Sequence, residues 1–188
     1  MSVTTDHDRL VRCPWGHDPA MTDYHDTEWG RELRGDRELF ERMSLEAFQS
    51  GLSWAIILRK RDRFREAFAG FDPAAVAGFG ETEVARLLDD VGIVRNRLKI
   101  EATISNARTL QALDESFSDL VWSFAPPPAP APLTPADVPA TTPESIAMAA
   151  ALKRRGFRFV GPTTAYALMQ ATGMVNDHLA DCLARDAS

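Results

Sequence analysis

The 188-residue chain holds only two cysteines and four histidines, and two of these six sit together near its end. In "VNDHLADC", residues 175–182, His178 and Cys182 stand four apart, a spacing that would put both on one face of a helical turn if the segment were helical. Imidazole and thiolate are good zinc ligands, and a structural zinc site needs four of them. Cys13 and His25 could complete such a set, and the site would then clasp the two ends of the chain. The remaining histidines are His7 and His17. The gap between the two pairs is far outside zinc-finger spacing. On spacing alone, a buried thiol beside a cap-like histidine is the simpler reading.

A second concentration of chemistry lies in the first third, where Trp15, Tyr24, Trp29 and Trp54 cluster. Aromatic rings stack on nucleobases at about 1–3 kcal/mol each, although they also fill ordinary cores. Close to them Glu46 interrupts an apolar run, between Leu45 and Ala47 with Phe48 following. An unpaired buried carboxylate is costly, so Glu46 is either at the surface or kept inside for a purpose. A carboxylate walled by aromatics suits a flat, electron-poor or cationic ring.

Composition sets the bounds for these readings. Apolar residues make up 45% of the chain and charged residues 26%, ordinary values for a globular protein. No apolar run reaches the roughly 18 residues of a membrane span, so no membrane partner is expected. The first residues, "MSVTTDHDRLVRC", do not read as a signal peptide. Two cysteines make no disulfide framework, which favours a reducing, cytoplasmic setting. The net charge of −6 argues mildly against nucleic acid, yet basic residues gather at 58–65, 95–99 and 152–159. Each cluster alone reads as a solvated helix face.

The elements that must carry these residues are helical throughout, so the fold class is all-α. Asp36 is expected to cap a helix through Leu39, Phe40 and Met43, and Gly51 to break the run that holds Glu46. Asp72 and Pro73 open another helix. Val84, Leu87, Leu88 and Val91 share a face ahead of a stop at Gly92. Ile100, Ile104, Ala107 and Leu110 form the next apolar stripe. Prolines make residues 124–143 an extended surface loop, to which no chemistry is given. Thr142 and Pro143 then open a helix through Ile146, Met148 and Leu152, closed at Gly156. A tight turn at Val160-Gly161-Pro162 follows, with a final helix ending at Gly173. Helix, hairpin and helix over 143–173 is a unit that can present amides to a phosphate. A single domain over 12–183 is expected, between a flexible N-terminal tail at 1–11 and a C-terminal tail at 184–188.

Four segments together carry a resemblance: "YHDTEWG" (24–30), "LEAFQSGLSW" (45–54), "GFRFVGPTTAYALMQATG" (156–173) and "VNDHLADC" (175–182). In type, order and spacing they are similar to the 3-methyladenine DNA glycosylase I family, from about Arg12 to Cys182. The resemblance implies a two-lobed member of the helix-hairpin-helix glycosylase superfamily that acts as a monomer on double-stranded alkylated DNA. It would hydrolyse the N-glycosidic bond and release free 3-methyladenine. It implies a structural zinc ion on Cys13, His25, His178 and Cys182. Glu46 matches the pocket acid, as both catalytic and base-binding residue, and Tyr24, Trp29 and Trp54 match the pocket aromatics, with Trp15 added to them. Leu52, beside Gly51, resembles the wedge that replaces a flipped base. Val160, Gly161, Thr163 and Thr164 resemble the phosphate anchor.

Departures from the wider superfamily sharpen the expectation. Phe159 stands where the hairpin usually has a glycine, Asn176 where a catalytic aspartate stands, and Thr163 where bifunctional enzymes carry a lysine. A monofunctional glycosylase without lyase activity follows from these. The alternative is a zinc-stabilised protein that binds damaged DNA without cutting it.

Overall fold

The computed structural model describes residues 11–187, so all but the last residue of the expected N-terminal tail lies outside the described residues. Among the described residues there is no strand. The helices run α1 (Thr22–Thr27), α2 (Asp36–Gln49), α3 (Trp54–Ala67), α4 (Pro73–Ala77), α5 (Glu81–Asp89), α6 (Arg97–Gln111), α7 (Phe117–Trp122), α8 (Pro143–Arg154) and α9 (Pro162–Ala171). None of them is long and apolar enough to cross a membrane.

The centre of the molecule is α2. Every residue from Arg42 to Phe48 is buried, so this helix has no solvent face along that stretch. It touches α3, α6 and α7 on some sides and α9 on another. Two groups of helices share it: α4 and α5 packed on α6, and α8 packed on α9. Phenylalanines dominate one side, where Phe48, Phe64, Phe68 and Phe71 follow one another at centroid distances of 4.7–6.2 Å.

Local signals account for most helix ends. The Asp72 carboxylate accepts from the amides of Ala74 and Ala75, with Pro73 in the first turn. Thr142 and Ser145 cap each other reciprocally at the start of α8. The expected break after α2 falls at Gly51, where φ is 85°. Three expectations are corrected. Asp36 does not cap α2; Gly35 does, and Asp36 instead accepts from the Ser116 hydroxyl and the Ser118 amide, tying down α7. Val91 is 73% exposed, because α5 ends at Asp89 and the turn buries Ile93 in its place. Ile146 also faces outward, on the far side of α8.

The hairpin between α8 and α9 is held from outside. Asn106 of α6 accepts from the Arg158 amide at 2.7 Å and donates to its carbonyl at 3.0 Å. The next residue, Phe159, is left-handed at φ 58°. For a bulky aromatic that conformation costs about 1–3 kcal/mol and persists only where the surroundings impose it. Burial of Phe157 and Val160 on either side, with the Asn106 bracket, does so. The ring of Phe159 is left exposed.

The C-terminal segment is better ordered than a tail. Ala184 is buried, Arg185 donates to the carbonyls of Asn176 and His178, and the Leu183 amide donates to Val11. Farther in, Gly173 closes α9 at φ 74°, and a Cβ there would lie 2.7–2.8 Å from backbone atoms of residues 30–32. Backbone cannot yield as a side chain can. Gly173→Ala should therefore cost about 2–4 kcal/mol, combining strain with overpacking, seen as a lower urea midpoint at unchanged slope.

Candidate functional site

His25, on α1, is fully buried, and its Nδ1 lies 2.7 Å from the Asp26 carboxylate. A carboxylate only accepts at neutral pH, so Nδ1 carries the proton and Nε2 keeps its lone pair. Arg12 grips Asp26 in turn through contacts of 2.8–3.0 Å, which holds that carboxyl below its ordinary range. The free Nε2 lies 3.5 Å from Cys182 Sγ. His178 is turned the opposite way: its Nε2 donates to the Trp29 carbonyl at 3.1 Å. Its Nδ1 therefore faces Cys182 Sγ at 3.4 Å and Cys13 Sγ at 3.8 Å.

All four candidate ligand atoms lie within 4.8 Å of one another, and all four residues are buried. Metal–ligand bonds of about 2.0–2.3 Å in a tetrahedron separate ligand atoms by about 3.3–3.8 Å, so the donor set fits a metal ion. Burial pushes the Cys13 thiol up to about 11 and the His178 imidazole down to about 4. A neutral imidazole is ready to ligate, while the thiols need a cation to become thiolates. Gly16 makes room for the site, since a Cβ there would stand 2.6 Å from the His25 ring. Asn176 brackets the ligand-bearing loop: it donates to the Arg185 carbonyl and accepts from the His178 amide.

The Cys/His cluster and the aromatics share a wall. Trp15 meets His25 edge-on at 4.7 Å and Trp29 at 5.0 Å, and Trp29 meets His178 at 4.6 Å. Tyr24 lies 5.4 Å from Trp54. These four aromatics line a cavity of about 570 Å³, with Glu46 in its wall beside Gln49, Gln170 and Asp177. Burial pushes the Glu46 carboxyl up to about 7, and the neighbouring Arg42 opposes that rise. Among the described residues nothing donates a hydrogen bond to it. The Asp177 carboxylate accepts from the Tyr166 hydroxyl at 2.5 Å and from Gln170 at 2.8 Å.

The remaining expected residues fall outside this cavity, at the turn after α2 and at the hairpin that opens α9. Gly51 and Leu52 form the turn after α2, with Leu52 38% exposed. Lys99 supports that turn by donating to the carbonyls of Phe48 and Ser50. Gly161, Thr163 and Thr164 begin α9, whereas the Val160 side chain is buried and has only its backbone to offer. Sequence reasoning missed several contributors, Gln49, Gln170 and Asp177 among them. Pro135 and Val138 of the proline-rich loop line the cavity, although that loop had been given no chemistry. Arg42, buried beside Tyr24, was passed over, although its spacing of four from Glu46 was visible.

With this geometry in hand, likeness to known proteins can be weighed. A family model described as methyladenine glycosylase matches residues 15–186. The chain belongs to the methyladenine glycosylase family. DNA-3-methyladenine glycosylase 1 of Escherichia coli (strain K12) is 45% identical over 179 residues, covering 92% of this chain and 96% of that protein. The DNA-3-methyladenine glycosylase of Haemophilus influenzae is 43% identical over 178 residues, with the same coverage. A crystal structure of 3-methyladenine DNA glycosylase I superposes with a TM-score of 0.89 at 47% identity, over 92% of this chain and 98% of that one. The Staphylococcus aureus structure, solved for 3-methyladenine recognition, gives 0.86 at 33% identity, over 93% and 96%. Glu46 and the aromatics thus lie in a fold common to methyladenine glycosylases.

Because Trp15 and Trp29 lean on ligand imidazoles, removing a bound metal should disturb them directly. Treatment with a strong chelator should red-shift tryptophan emission and lower the melting temperature. Gly16→Ala, by displacing His25, should weaken metal binding about 10- to 100-fold in a competition titration.

Proposed function

We propose that the protein hydrolyses the N-glycosidic bond of 3-methyladenine in alkylated double-stranded DNA, after the damaged nucleotide turns out of the duplex into the cavity. One observation supports this above the others: Glu46 is a buried carboxylate, free of hydrogen bonds from the described residues, in an aromatic-walled cavity. A buried acceptor of that kind has a ligand donor as its natural partner. The named activity of the Escherichia coli and Haemophilus influenzae relatives agrees with this reading.

The chemistry follows from the leaving group. The 3-methylated adenine is cationic in the nucleoside, so its glycosidic bond is already weakened. Little acid catalysis is needed, and recognition with stabilisation of an oxocarbenium-like transition state suffices. Glu46 accepts hydrogen bonds from the base, and its charge favours the cationic ring over normal adenine. Tyr24, Trp54, Trp29 and Trp15 supply faces for stacking. Turning a base out costs a few kcal/mol and is cheapest for a damaged one.

Zinc is the ion we assign to Cys13, His25, His178 and Cys182. Four protein ligands leave no open position, so the role is structural. Leu52 fills the space the base leaves. The first amides of α9, at Thr163 and Thr164, face a DNA phosphate. Gly161 supports that: a Cβ there would meet nothing within 4 Å, so the fold itself does not require a glycine. Monofunctional action fits a cavity without a lining lysine among the described residues. Lys99 is engaged with backbone carbonyls. The reading includes a monomer in the cytoplasm, where reducing conditions keep both thiols available.

The deciding experiment incubates methylated DNA with the protein and measures freed 3-methyladenine. Release is expected. Binding without release would instead establish the non-cutting alternative, a protein that keeps the aromatics and Glu46 yet releases no base. Glu46→Gln should slow release about 10- to 100-fold, the worth of a charged hydrogen bond. Release by the unaltered protein should fall below about pH 7, where Glu46 takes up a proton. The same group works against stability. Its folded pKa lies above the ordinary 4.5, so its stabilising protonation is complete at low pH and lost as pH rises through about 7. Glu46→Gln should therefore melt higher than the parent at pH 8. Asn106→Ala, which frees the hairpin, should weaken DNA binding while leaving affinity for free 3-methyladenine unchanged.

A further inference from the structure

We propose that Arg42 is a positioning residue of the base pocket, pinning the Tyr24 hydroxyl as a donor toward the base and setting a positive charge against Glu46 without occupying its oxygens. The assignment rests on the reading of the cavity given above. Arg42 is buried one helical turn before Glu46 on α2. Its Nη1 donates to the Tyr24 oxygen at 2.7 Å. A guanidinium has donors only, so the Tyr24 oxygen must accept and its own proton points elsewhere. Among the described residues that hydroxyl donates to nothing, and Tyr24 lines the cavity.

The same guanidinium touches the rest of the wall. Its central carbon lies 5.2 Å from the Tyr24 ring centre and 5.6 Å from that of Trp54. Nη2 stands 3.6 Å from Glu28, which Arg61 of α3 holds with two bonds of 2.5 and 2.8 Å. The orientation of Arg42 is thus fixed from α1, from the turn after it and from α3. Other charged or titratable groups around α2 are differently engaged. Lys99 of α6 is bound to carbonyls, and Tyr166 of α9 and Asp177 are bonded to each other. Asp36 and Asp119 lie at the α7 end, and the 3-10 turn Ala69–Phe71 brings none. Apart from burial, Arg42 is the influence acting on the Glu46 carboxyl.

This arrangement resolves a conflict inside the site. A buried carboxylate needs a compensating cation, yet a direct ion pair would consume the acceptors the base requires. Arg42 spends its hydrogen bond on Tyr24 and gives Glu46 only its field.

The test compares the unaltered protein, Arg42→Met and Arg42→Lys, full-length and metal-loaded, for single-turnover release of 3-methyladenine from about pH 6 to 9. Each is combined with Tyr24→Phe. Arg42→Met should move the acid limb upward by about one unit, a loss of about tenfold on that limb, with a loss of about threefold at pH 9 for the released tyrosine. Tyr24→Phe should cost about threefold in the parent and nothing in Arg42→Met. Arg42→Lys should restore the limb, since it keeps the charge. A uniform loss at every pH, or an undiminished Tyr24→Phe effect in Arg42→Met, overturns the assignment. Should Arg42→Met not fold, Arg42→Lys decides: the parent limb with an altered Tyr24→Phe effect supports it, and an unaltered effect overturns it. No release by the unaltered protein would instead refute the pocket reading itself.

Discussion

Two imidazoles, each with one nitrogen committed to a protein acceptor, hold the candidate site together. His25 gives its Nδ1 proton to Asp26 and His178 gives its Nε2 proton to Trp29, which leaves one lone pair on each ring facing Cys13 and Cys182. The same rings are the surface on which Trp15 and Trp29 rest. The Cys/His cluster and the cavity therefore form one construction, in which the two imidazoles pack edge-on against the aromatic walls. Arg12 and Arg185 brace it from the two ends of the described chain.

Against that rigid side stands α2, which carries a cost. Glu46 is buried among apolar groups and raised to about 7, and Arg42 offsets part of this through charge alone. A fold selected for stability would place an apolar side chain at either position. Helices on every side of α2 supply the burial that tolerates the pair, with the phenylalanines around Phe48 and Phe68 forming most of that support. The pair is a local loss of stability carried by a large core.

Sequence reasoning read the helix-hairpin-helix boundaries well, because Thr142-Pro143 and Gly161-Pro162 are strong local signals. It failed where distant residues decide. Asp36 serves Ser116 and Ser118, more than eighty positions away, instead of its own helix. The six-residue α7 is too short to show a period. The four Cys and His residues could be named as candidates from residue type, but only family resemblance favoured a metal set over a buried thiol, since its halves meet by folding and not by spacing. Arg42 carries no local signal of its role, because nothing in the neighbouring sequence reveals that α2 is enclosed. The proline-rich loop disclosed its extended form but not that Pro135 and Val138 border the cavity.

The joining of distant segments at the metal cluster also bears on the order in which the protein is made. Trp15, Tyr24, Trp29 and Glu46 are synthesised early, whereas Cys182 follows His25 by 157 positions. Through most of translation the early aromatics have no imidazole from His178 to lean on and no complete set of ligands beside them. A chain cut short before Cys182 lacks the closing half of the clasp, and its aromatic wall stays unbraced.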